Sequence, residues 1–116
     1  MKAVAYYEAY ENMDIEEEDE EKIKENEKIV LESKNSYWAF EFAYGFPKSN
    51  IKALENIIIE DKNVFFAFKF AHCIEGANKE ELFKVVLESG DIYYINIFLQ
   101  FIEFDKDKFA NYLLFI

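Results

Sequence analysis

Ile29-Val-Leu-Glu-Ser-Lys-Asn35 is answered 28 residues later by Ile57-Ile-Ile-Glu-Asp-Lys-Asn63, and again by Val85-Val-Leu-Glu-Ser-Gly-Asp91. The register continues without a gap through Tyr37/Phe65/Tyr93, Trp38/Phe66/Tyr94, Ala39/Ala67/Ile95, Phe42/Phe70/Phe98 and Phe46/Ile74/Ile102. A fixed period of this length marks an array of supersecondary units, each burying its apolar face only against its neighbours. The blocks are 29–56, 57–84 and 85–112, with 1–28 outside the pattern and 113–116 opening a truncated fourth unit. Arrays of this kind present surfaces rather than catalytic pockets, so the period points to a binder.

Each block carries two helical patterns. Ile51, Leu54, Ile57 and Ile58 fall on one helix face, and Leu82, Val85 and Val86 repeat that face. Asn50 and Asn78 are good N-cap types, and Glu81, three residues after Asn78, suits a capping box. A second helix follows Asn35, Asn63 or Asp91, and the spacing predicts aromatic helices over 36–46, 64–75 and 92–103 as the inner layer. Small residues such as Ala39 and Ala43 beside large rings allow close axis approach. The β-branched runs Ile57–Ile59 and Val85–Leu87 would also suit strands, but they continue the helical faces begun at Leu54 and Leu82. The expected fold is all-α: a short right-handed α-solenoid of about three helical hairpins with an atypical acidic N-terminal cap, in a single domain over 1–116.

Composition narrows the partners. The 116 residues hold 24 acidic side chains against 13 lysines and no arginine, for a formal charge of −11. Phosphate-rich ligands would be repelled, and the planar fork that grips phosphate is missing, which excludes direct nucleic acid and anionic membrane. A basic protein surface is favoured instead. The single Cys73 gives no internal disulfide, the N-terminus does not read as a signal peptide, and no stretch reaches the length of a membrane span. A cytoplasmic protein is the expectation.

Charge is concentrated at one end, with eleven acidic residues and four lysines in 1–28. Within it runs Glu16-Glu17-Glu18-Asp19-Glu20-Glu21, either a solvated segment that keeps an aromatic-rich chain soluble or a contact for a basic partner. The run lacks the alternating acids and central glycine of a calcium loop. Ala3–Tyr10 would form a capping helix, and Leu113–Ile116 leaves an apolar end that a second copy or a partner would cover, through a homodimer if a copy. His72-Cys73 pairs a base with a nucleophile, but adjacent helical residues point about 100° apart, and no other His or Cys exists for a metal. No catalytic, cofactor or metal residue is assigned. The aromatic rows read mainly as core, with partly exposed Tyr37 and Tyr93 as partner anchors beside the acidic run.

The stretch Ile29-Val-Leu-Glu-Ser-Lys-Asn-Ser-Tyr-Trp-Ala-Phe-Glu-Phe-Ala43 resembles short α-helical repeats of AT-rich bacteria and their phages, related to HEAT-type or variant leucine-rich arrays. By size, acidity and missing chemistry alone, the chain is also similar in type to anti-CRISPR proteins, including inhibitors of type VI RNA-targeting effectors. That resemblance implies a non-catalytic inhibitor that occludes a basic, nucleic-acid-binding surface. The alternative is a generic helical-repeat scaffold with no inhibitory role.

Overall fold

Short polar side chains set the helix starts. In the computed structural model the described residues are 20–113, with backbone alone for 112 and 113. The expected helix Ala3–Tyr10, the acids Glu16–Asp19 and the apolar Leu114–Ile116 lie outside them, as does the Leu113 side chain. The side-chain oxygens of Asn35, Asn50, Asn63, Asn78 and Asp91 accept the backbone N–H three residues on, at 3.0–3.2 Å, which occupies a donor that the first turn leaves open. These caps open α2 (Ser36–Gly45), α3 (Ile51–Asp61), α4 (Val64–Cys73), α5 (Lys79–Ser89) and α6 (Ile92–Phe101), after an uncapped α1 (Glu20–Ser33). A 3-10 turn (Asp107–Phe109) leads into the short α7 (Ala110–Leu113). No strand occurs among the described residues, and Ile57–Ile59 and Val85–Leu87 lie inside α3 and α5.

Chain reversals fall at equivalent positions. Lys34, Lys62 and Gly90, 28 residues apart, take the left-handed conformation, with φ of 53°, 55° and 73°, and each begins a turn into the next helix. The aromatic helices end at 45, 73 and 101, short of the ends expected from the apolar spacing. Phe46, Ile74 and Ile102 continue the apolar pattern, yet each leaves the helix and caps it, donating its N–H to the carbonyl of Phe42, Phe70 or Phe98 at 2.9–3.0 Å. Their side chains are buried. Leaving the helix lets an apolar side chain reach the core while the chain turns back.

Packing then sorts the helices into two rows. α1 touches α3 and α3 touches α5, while α2 touches α4 and α4 touches α6. The core lies between the rows: Phe42, Phe70 and Phe98 from one face it, and Leu54, Ile58, Leu82 and Val86 from the other, with Ala39 and Ala67 admitting close approach. Helices α2, α4 and α6 are not an enclosed inner layer as expected. Each buries one face and leaves another open.

The rows are also pinned by carboxylates. Glu27 Oε2 accepts the Asn50 N–H at 2.8 Å, and Glu55 Oε2, 28 residues on, accepts the Asn78 N–H at 2.6 Å. The capping box expected from Glu81 is therefore completed by the preceding helix, while Glu81 itself pairs with Lys84 at 3.0 Å. Glu55 is only 4% exposed. Burial is the main reason that its pKa is raised, with Glu81 adding to the rise and the Asn78 hydrogen bond and Lys52 opposing it. At the next equivalent position stands Phe83, whose ring meets Phe98, Phe104 and Phe109 at 5.1, 4.8 and 5.0 Å. The carboxylate clamp gives way to an aromatic plug over the end of the rows.

Candidate functional site

Helices α2, α4 and α6 carry large rings on the face turned away from the core. Tyr37, Phe65 and Tyr93 sit in their first turns and are 41%, 45% and 66% exposed. Each stands edge-to-face against its own neighbour: Tyr37 on Trp38 at 4.8 Å, Phe65 on Phe66 at 4.9 Å and Tyr93 on Tyr94 at 5.2 Å. Across the helices, Tyr37 meets Phe66 at 6.0 Å and Phe65 meets Tyr94 at 6.4 Å. Rings in this offset arrangement attract one another beyond their area burial, so the six form one continuous ladder. Further along, exposed Tyr44 leans on Phe40, and Lys69 Nζ lies over the rings of Phe40 and Phe65 at 5.4 and 5.8 Å.

Charge is divided between the rows. Helices α2, α4 and α6 carry formal charge at Glu41 and Lys69 alone, whereas α1, α3 and α5 carry seventeen charged side chains. Where the rows meet, exposed Glu32, Glu60 and Glu88 occupy equivalent positions in the last turns of α1, α3 and α5. The turns that follow bring these acids to the same end of the molecule as the first-turn rings.

The structure joins Tyr37 and Tyr93 into one surface, through Phe66, Phe65 and Tyr94. It does not join them to the acidic run. Glu20 and Glu21 form the first turn of α1, at the far end of a helix whose 14 residues span roughly 20 Å. Glu20 instead borders an open groove of about 870 Å³ with Ile23, Phe46 and Pro47 on its walls. The expectation that the 37/65/93 row is chiefly core is corrected, since these rings stand outside it, while Trp38, Phe66 and Tyr94 are half-buried beneath them. Phe65, the centre of the ladder, was not singled out by sequence reasoning, nor was the 32/60/88 acid row. The same 28-residue period that revealed the fold would have found both.

His72 and Cys73 come closer than helical geometry suggested, with Sγ 3.8 Å from Nδ1 and the imidazole stacked on Phe68. Both are exposed at the end of α4. Among the described residues no group of three or more His, Cys, Asp or Glu is arranged to hold a metal ion, and no helix is long and apolar enough to cross a membrane. Comparison of the chain with family models, curated proteins and solved structures gives no match.

Proposed function

We propose that this chain is a non-catalytic protein-binding module, a short right-handed α-solenoid of helical hairpins that covers a basic, nucleic-acid-binding surface of a partner. The row-to-row contacts and the 28-residue recurrence of caps, left-handed turns and carboxylate clamps support the solenoid reading. One observation carries the binding role: a nearly uncharged ladder of exposed rings on a chain of charge −11. Tyr and Trp rings supply large contact area with few rotatable bonds, the composition of binding hot spots. The surrounding acids would steer a basic partner at long range, and the rings would hold it at short range. An RNA-guided nuclease of type VI, whose channel is basic because it holds RNA, is the kind of partner implied by the anti-CRISPR-like type of the chain.

The test is competition. The protein is used to capture partners from host lysate, and to titrate a purified type VI nuclease, with the Tyr37→Ala/Tyr93→Ala variant run in parallel. A partner that is lost with the variant and displaced by its own RNA supports occlusion. A ring-dependent partner indifferent to nucleic acid would replace occlusion with the scaffold reading. Capture that never depends on the rings would remove this face from the function.

A further inference from the structure

We propose that the Tyr37/Phe65/Tyr93 face takes an extended, proline-rich segment with a basic residue at every third position. This rests on the protein-binding reading above and names the chemistry of what is bound. Two notches cross the ladder. One is walled by Tyr37 and Phe65 and floored by Phe66, which contacts both at 6.0 and 4.9 Å. The other is walled by Phe65 and Tyr93 and floored by Tyr94, at 6.4 and 5.2 Å. Each floor is a half-buried ring and each wall an exposed one, so relief repeats once per helix.

The repeat distance fits a particular backbone. Packed helices lie roughly 8–10 Å apart. A polyproline II chain has three residues per turn and rises about 3.1 Å per residue, so one turn advances about 9 Å. One turn of such a chain therefore steps from one helix to the next. Proline rings can enter successive notches in phase, and because the chain is already extended in solution, little conformational freedom is lost on binding.

Charge selects the remaining position. In a three-residue helix every third side chain falls on the same edge. Glu32, Glu60 and Glu88 line the rings with one exposed carboxylate per hairpin, so Lys or Arg at every third position meets them while the intervening prolines face the rings. Lys34 and Lys62 lie in the first two turns, but the third has Gly90 followed by Asp91, which makes the α6 end the more negative and orients the basic end of the segment there. Acidic peptides and nucleic acid are disfavoured by the charge of −11, and a second copy would set one acid row against another.

The probe is a fluorescent peptide of Arg-Pro-Pro repeated four times, titrated with the full chain and followed by anisotropy, beside an Arg-Ala-Ala peptide of equal charge. Saturable binding is expected, at least about tenfold tighter for the proline peptide, and weakened by at least about tenfold in Phe65→Ala and Tyr93→Ala. Both rings are exposed, so the thermal melts of these variants should match wild type. Glu60→Gln/Glu88→Gln should flatten the salt dependence. Equal affinity for the alanine peptide, or unchanged affinity in both ring variants, overturns the proposal. So does peptide displacement by a single-stranded RNA, or a dimer that Tyr93→Ala dissolves, which would assign the face to nucleic acid or to a second copy. A partner captured through the rings but indifferent to the proline peptide leaves the binding-module reading standing and removes this one. Peptide binding without nucleic-acid competition at the partner does the reverse for occlusion.

Discussion

At position 55 the fold needs an acceptor for the Asn78 N–H, and the sequence supplies a buried carboxylate. Burial raises its pKa above the ordinary 4.5, with Glu81 adding to the rise and the Asn78 hydrogen bond and Lys52 opposing it. A raised folded-state pKa means that the protonated form is favoured by folding. That stabilisation is complete below the unfolded value and is lost as pH climbs through the folded one. Glu55→Gln keeps an oxygen for Asn78 without the charge, so its stability relative to wild type should rise between about pH 4 and pH 7. Glu55→Ala, which orphans the Asn78 N–H, should cost about 1–3 kcal/mol. Urea melts of both variants at the two pH values measure this. A Gln variant that falls behind wild type as pH rises would mean that the carboxylate charge itself holds the two helices together.

Within one helix, α4 separates packing from binding. Ala67, Phe70 and Ala71 make its buried stripe, and Phe65 stands on the open side. Phe70→Ala should cost about 3–5 kcal/mol, since the middle position is closed by neighbours on both sides, whereas Phe65→Ala should cost less than about 1 kcal/mol. Denaturant titration separates the two, and a small loss at Phe70 would place it outside the core. Helix starts were legible in the sequence because Asn35, Asn63 and Asp91 act locally, through one side-chain oxygen and one N–H. Helix ends were not. Phe46, Ile74 and Ile102 keep the apolar spacing of a helix, and only the position of the neighbouring row makes an extended backbone the better way to bury them. The capping partner of Asn78 was misread for a related reason: Glu81 has the right spacing, but Glu55 arrives from another helix.

Across the whole molecule, periodicity told which residues are equivalent but not which way they face. Tyr37/Phe65/Tyr93 and Phe42/Phe70/Phe98 recur with the same spacing, and the placement of a helix between two rows decides that one set is exposed and the other buried. Hydrophobicity alone cannot make that distinction when aromatic residues occupy both faces. The same recurrence identifies where the array is altered on purpose: Glu27 and Glu55 clamp the helix that follows, while Phe83 instead receives Phe104 and Phe109. An array end exposes the apolar flank that the next unit would have covered, and a stack of rings at this point covers it from within the same chain. Phe109 is buried and stands at the outer side of that stack. Phe109→Ala should therefore lower stability by about 3–5 kcal/mol and also uncover Phe83 and Phe104, giving concentration-dependent association. Light scattering over a dilution series, at a temperature where circular dichroism shows the variant still folded, separates association from unfolding. A folded variant with the same mass as wild type at every concentration would show that the flank beneath Phe109 is not a sticky end, and that the plug serves stability alone.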